Sequence, residues 1–191
     1  MEENEELKTA KQMYEYCRKN GYGRGANRKW SEKHFSLIEN RLMKDEYIIL
    51  PFIGLHNYIS ASKHDRNYAY AVTNKRIIMA QKGFIGAKVQ TIYLNNINDI
   101  TYKAEVTLGN IIIDTIKETF SVCLNKNAAF KVSERLHEVL DSLKNSEANQ
   151  IENLSINKLS EADEIMKFKE LLDQGIITQE EFEKQKRKLL R

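Results

Sequence analysis

Ala69-Tyr70-Ala71-Val72-Thr73-Asn74-Lys75-Arg76-Ile77-Ile78-Met79 is the stretch whose reading decides the fold. Two runs of β-branched, aromatic and small residues flank Thr73-Asn74-Lys75, which has the chemistry of a tight turn, so the stretch reads as a β-hairpin. Side chains alternate along a strand, which places Tyr68, Tyr70 and Val72 on one face and Ala69 and Ala71 on the other. Small residues along one face suit a tightly curved antiparallel sheet, where an opposite wall comes close.

Working outward from the hairpin, the period-2 pattern continues in both directions. The runs Tyr47–Ile53, His56–Ser62, Asn67–Thr73, Arg76–Gln81, Val89–Leu94, Asp99–Tyr102, Asn110–Ile116 and Thr119–Leu124 read as strands. Turn chemistry separates them at Lys63-His64-Asp65-Arg66, Thr73-Asn74-Lys75, Gly83 to Lys88, Asn95-Asn96 and Gly109-Asn110. After the last strand the period lengthens. Ala129, Val132, Leu136, Val139, Leu140 and Leu143 recur at three and four, which predicts one amphipathic helix able to plug the open end of a bent sheet.

Both termini read as helical. Leu7, Ala10, Tyr14 and Cys17 lie at helical spacing before Asn20-Gly21. Ser31 is the expected N-cap of a second helix carrying Phe35, Ile38 and Leu42, with Trp30 just ahead of it. Residues 144–159 are polar, rich in Asn and Ser and weakly periodic, the composition of a linker. Beyond them, Ser160 with Asp163 and Thr178 with Glu181 suggest two capping boxes on either side of Gly175. A hairpin this short lies below the ~40 residues that normally fold unaided. Its apolar residues Ile165, Phe168, Leu172, Phe182 and Leu189 are therefore the expected partner or oligomer contacts.

Totals narrow the class. Apolar residues at 41% and charged residues at 30% are globular values, which excludes a disordered chain. The longest apolar run, Tyr47 to Leu55, is strand-sized, well short of the ~20 residues that cross a bilayer. The first six residues are acidic, unlike a signal peptide, and Cys17 and Cys123 are far apart, so a reducing cytoplasmic setting is expected. A net charge of +3 spread along the chain lacks the dense basic face of a nucleic-acid binder.

Phe35–Leu143 resembles bacterial pleckstrin-homology domains of the YokE-like kind. The resemblance rests on Leu42-x-x-Asp45-Glu46 leading into the first strand, on the central hairpin quoted above, and on the closing helix. Ser160–Leu190 is similar to the SHOCT short C-terminal domain through Leu171-Leu172-Asp173-x-Gly175-Ile176-Ile177-Thr178-x-Glu180-Glu181-Phe182 and Lys188-Leu189-Leu190. The resemblance implies an α+β architecture: a strongly bent PH-like antiparallel barrel capped by a helix, with N-terminal helices and a C-terminal two-helix hairpin. The boundaries are 1–28 for an N-terminal helical extension, 29–143 for the PH-like domain, 144–159 for the linker and 160–191 for the hairpin. It further implies a non-enzymatic interaction or scaffold protein that binds a protein partner or itself, with no catalytic set and no cofactor.

Several local features bear on other chemistries. Lys82-Gly83-Phe84-Ile85-Gly86-Ala87-Lys88 puts two large apolar residues between glycines at a hairpin tip with lysines on either side. With Lys63 and Arg66 of a neighbouring loop it forms either a wedge for an anionic membrane surface or a patch packed on the sheet or a subunit. Gly21-x-Gly23-x-Gly25 lacks the Lys-Ser/Thr of a phosphate loop and reads as a flexible connector. His56, His64 and Asp65 lack a further His or Cys at metal-ligand spacing, and His34 and His137 fall on helices. Asp99 and Asp114 are a conceivable buried pair. Lys184, Lys186, Arg187, Lys188 and Arg191 follow Glu180, Glu181 and Glu183, an order that matches the helix dipole.

Overall fold

The computed structural model describes residues 7–23 and 25–190, with side chains described outside 146–162. Seven strands form one antiparallel sheet in the order β4-β3-β2-β1-β7-β6-β5. They are β1 Ile48–His56, β2 Asn67–Thr73, β3 Arg76–Lys82, β4 Ala87–Tyr93, β5 Ile97–Ala104, β6 Leu108–Thr115 and β7 Thr119–Asn125. Strand β1 pairs with β2 from Ile48↔Thr73 to Leu55↔Asn67, but meets β7 only at Leu55↔Cys123 and His56↔Val122. The sheet is thus two limbs joined by a short seam and curled into a half-barrel, the bent antiparallel form that the resemblance implies.

The expected strands Tyr47–Ile53 and His56–Ser62 are a single strand, β1, and residues 57–66 form a loop that ends it. Gly54 is the reason the sequence suggests a break. A Cβ there would sit 2.5 Å from Val122 Cγ1 and 3.0 Å from the Cys123 carbonyl, so the glycine marks where β7 crosses. Gly109 repeats the theme. The turn expected at Gly109-Asn110 falls inside β6, where a Cβ would meet Ala129 Cβ at 2.6 Å and Tyr102 Cε2 at 2.9 Å. The chain reverses instead at 105–107, closed by the Glu105 N–H donating to the Leu108 carbonyl at 2.8 Å.

Tyr70 stacks on Phe52 (centroids 4.8 Å apart, 3° between planes) inside the barrel. The small residues Ala69, Ala71 and Ala80 are fully buried on the opposite face, where the helices and not a second sheet wall approach. Helix α1, Ala10–Asn20, starts at a capping box between Thr9 and Gln12 and ends at left-handed Gly21. Helix α2, Arg28–Glu39, is capped by Asn27, whose side chain accepts the Trp30 N–H at 2.9 Å. Ser31, the expected cap, lies within the first turn, buried and bonded to the Asn27 carbonyl. Glu39 accepts the Ala10 N–H at 2.8 Å, so each helix steadies the other.

A buried ion pair fastens this region to the hairpin. Arg76 donates through Nε to Glu46 Oε1 and through Nη2 to Glu46 Oε2, both at 2.8 Å, and Nη2 also reaches the Arg41 carbonyl at 2.7 Å. The Thr73 hydroxyl donates to Glu46 Oε1 at 2.8 Å, and the Met43 N–H donates to Oε2 at 2.9 Å. Burial alone pushes the Glu46 carboxyl up, yet these bonds outweigh it and hold it below the usual glutamate range.

Helix α3 runs from Lys126 to Asp173, continuing through the stretch read as a linker and past Ser160, the expected helix start. That stretch contains neither Gly nor Pro to stop a helix. Side chains 146–162, that of Ser160 among them, lie outside the described residues. In the unit up to Leu140, the stripe Ala129, Val132, Leu136 and Val139 is buried as its period predicts. In the unit from Asp141, α3 ends at Gly175 (φ 71°), with the Ile176 N–H donating to the Leu171 carbonyl at 2.9 Å. Helix α4, Gln179–Leu189, then opens on a capping box between Thr178 and Glu181, as expected. No helix among the described residues is long and apolar enough to cross a membrane.

Gly54→Ala should lower stability by about 1–3 kcal/mol through overpacking at the β1–β7 seam, read as a lower urea midpoint at unchanged slope. Glu46→Gln leaves Arg76 buried against a neutral partner and should cost about 3–5 kcal/mol at neutral pH. Because the native Glu46 value is depressed, its contribution is complete above the ordinary value of about 4.3 and is lost as pH falls below it. Urea unfolding across that acid range should show a shallower decline for Glu46→Gln than for the wild type.

Candidate functional site

The tip of the β3–β4 hairpin carries two of the most exposed large apolar side chains among the described residues. The Gly83 N–H donates to the Gly86 carbonyl at 3.1 Å, and Gly86 takes φ 79°, closing the turn around two residues. Phe84 and Ile85 project from it with relative exposures of 105% and 91%. Neither packs on the sheet of its own chain, which leaves the membrane wedge and packing against a subunit as the readings of this tip.

Backbone register sets the cations around this tip. Lys82 pairs with Ala87 and Lys88 with Gln81 at the neck of the hairpin. Gln81 Nε2 in turn donates to the carbonyls of Asp65 at 3.0 Å and Asn67 at 3.1 Å, tying the neck to the β1–β2 loop. The loop that carries Lys63 and Arg66 is thus joined to the hairpin neck that carries Lys82 and Lys88. That loop is held by the Ser60–Lys63 bridge and by Arg66 in the left-handed region (φ 68°), whose carbonyl accepts the His56 N–H at 2.9 Å. Among the described residues none of these four side chains has an ion-pair partner. Asp65 of the same loop accepts from Asn57 Nδ2 at 2.9 Å. Ile59, 68% exposed on the same loop, escaped sequence reasoning because it was assigned to a strand.

The hairpin residues divide differently. Phe182 is buried, with the Lys186 ammonium 6.0 Å from its ring centroid, whereas Ile165, Phe168, Leu172 and Leu189 are only half-buried. Met166, Ile176 and Leu190 are each more than 60% exposed. The basic residues Lys186, Arg187 and Lys188 occupy the last turn of α4, opposite the acidic first turn; Arg191 lies outside the described residues.

The remaining polar candidates serve the fold. His56 is buried, shares a 2.7 Å hydrogen bond through Nδ1 with the Tyr70 hydroxyl and packs against Tyr68 and Phe120. Burial pushes the His56 pKa down and that of Tyr70 up, so for both groups it favours the neutral form. His64 instead turns to its own loop and accepts the Arg66 N–H at 2.9 Å. Asp99 and Asp114 are cross-strand partners as the pattern allowed, but they are not buried. Thr119 and then Asn98 donate to Asp114 and hold its carboxyl low. Among the described residues no three His, Cys, Asp or Glu side chains are grouped to hold a metal ion.

A family model described as bacterial PH domain matches residues 42–138, and one described as short C-terminal domain matches residues 163–190. No curated protein matches the sequence. Among similar solved structures, the Vps36 N-terminal PH domain has 16% identity and a TM-score of 0.44, over 55% of this chain and 86% of that one. A DUF1696-family protein with a pleckstrin-homology domain from Shewanella loihica PV-4 has 10% identity and a TM-score of 0.40, over 55% of this chain and 88% of that one.

Proposed function

This chain belongs to the bacterial PH domain family, and from that premise we propose that it is an interaction scaffold whose C-terminal hairpin joins it to a second copy of itself. The supporting observation is the half-buried apolar ridge of Ile165, Phe168 and Leu172 on α3, with Leu189 on α4. The two ends of the hairpin turn are fully specified by Gly175 and by the Thr178–Glu181 box, so the ridge is presented on a defined support. A unit of this size cannot bury its own apolar surface. A symmetric contact, in which the same ridge meets its copy, covers that surface on both partners at once.

A second reading has its own support in the Phe84-Ile85 tip. Full exposure of two large apolar side chains above Lys63, Arg66, Lys82 and Lys88 is the chemistry of a shallow anchor in an anionic membrane surface. The tip and the hairpin share no residue, so each reading is tested by its own substitution.

Light scattering on a sizing column should give a multimer for the full chain and a monomer for Phe168→Asp; a monomeric wild type would end the assembly reading. Vesicles containing phosphatidylserine should sediment the wild type, and Phe84→Asp should weaken that partitioning by about tenfold, the loss of one buried aromatic side chain. Equal sedimentation of both proteins, or of neither, would remove the membrane reading.

A further inference from the structure

We infer that the outer edge of β5 is a self-association surface of its own, on which a second copy of this chain pairs antiparallel about a two-fold axis at Thr101. Strand β5 ends the sheet: it pairs with β6 on one flank and with no strand among the described residues on the other. The opposite end of the sheet is not equivalent. There Gln90 of β4 donates to Glu118, in the turn between β6 and β7, and ties that edge to the other limb. The eight residues of β5 thus keep a flank of backbone donors and acceptors that is a template for a further strand.

The side chains select both the occupant and its register. Asp99, Thr101 and Lys103 are exposed on one face of β5, whereas Ile100 is buried and Tyr102 half-buried on the other. Residues opposite each other in an antiparallel pair point to the same side of the sheet, so the exposed trio of one copy must meet that of the other. An axis at Thr101 sets Asp99 against Lys103 twice. An axis at Asp99 or at Lys103 sets a charge against itself, and one at Tyr102 sets Asp99 against Glu105. An axis at Ile100 leaves Asp99 opposite Thr101 and Lys103 opposite Ile97. Charge therefore picks the Thr101 axis. A lysine on an edge strand ordinarily keeps copies apart, but in this register it meets an aspartate. Asp99 already faces Asp114 on β6, a like charge that Lys103 of the second copy offsets. Lys103 has no ion-pair partner among the described residues.

The same axis matches the apolar residues exposed at the two ends of the strand. Val106, in the turn after β5, and Ile116, in the turn after β6, are both exposed. The Ile116 N–H donates to the Asn96 carbonyl at 3.0 Å, just ahead of β5. In the Thr101 register Asn96 stands opposite Val106, so each Val106 comes to the end of the ribbon that carries Ile116 of the second copy. This contact uses neither the α3–α4 ridge nor the Phe84-Ile85 tip and depends on neither reading. A single ribbon is smaller than a standard stable interface, so by itself it disperses on a dilute sizing column.

Disulfide trapping reads such a weak contact because each link is retained. In the full chain carrying Phe168→Asp, which removes the ridge contact, Thr101→Cys should cross-link to a dimer under copper phenanthroline at high protein concentration. Cys17 and Cys123 are buried and do not compete. Asn98→Cys, whose own copy is out of reach in this register, should link at least about tenfold more slowly. Adding Lys103→Asp to Thr101→Cys sets acid against acid at both ends and should slow linkage about tenfold, and adding Asp99→Lys to that variant should restore it. All these side chains are exposed, so the variants should keep the thermal midpoint of the parent chain. Absence of a Thr101→Cys dimer, or equal linkage through Asn98→Cys, would overturn the proposal, as would a charge reversal that Asp99→Lys does not rescue. A failed ridge leaves every one of these readings unchanged.

Discussion

The Glu46–Arg76 pair is the constraint on which the rest of the body depends. It joins two segments thirty residues apart in sequence, the approach to β1 and the turn between β2 and β3. Through Nη2 it also grips the Arg41 carbonyl just after α2, so helix, strand and hairpin meet at one guanidinium. A carboxylate without charge-assisted donors would not tolerate this burial. Asn74 reinforces the same junction, accepting the Tyr47 N–H at 3.1 Å and donating to the Asp45 carbonyl at 3.1 Å. The pair fixes where β1 begins, and hence the register that carries the hairpin neck, its cations and the exposed tip.

Much of this was legible in the residues because local chemistry and global fold agree there. The Thr73-Asn74-Lys75 turn, the stripe of α3 and the Gly175 and Thr178 caps stand where their patterns place them. The misreadings share a physical cause. The strand break expected after Ile53 and the turn expected at Gly109-Asn110 both fall at glycines whose meaning is distance to another element that is remote in sequence. Ser31 was a plausible cap until Asn27 supplied a better one and burial took the serine away. Asn- and Ser-rich composition suggested an interruption after residue 143, but polar composition does not end a helix that lacks a glycine or proline.

The candidate surfaces divide along the same line. The tip at Phe84 and Ile85 was readable because its apolar pair, its glycines and two of its lysines are contiguous. Its connection to Lys63 and Arg66 was not, since that depends on the side chain of Gln81 reaching two carbonyls of another loop.

The seam between β1 and β7 bears on how the body comes to be folded. Within each limb, neighbouring strands are sequential hairpins that can zip locally, whereas the two limbs meet through just two register pairs. Leu55 and Cys123 must find each other across most of the domain, so the loop-closure entropy of the whole topology falls on this one contact. Side chains drawn from both limbs, His56, Tyr70 and Phe120 among them, converge at the same place and give that encounter its reward. The bent sheet is in kinetic terms two fast-forming ribbons awaiting a single, late long-range collision, and the seam's glycine keeps that meeting point free of steric obstruction.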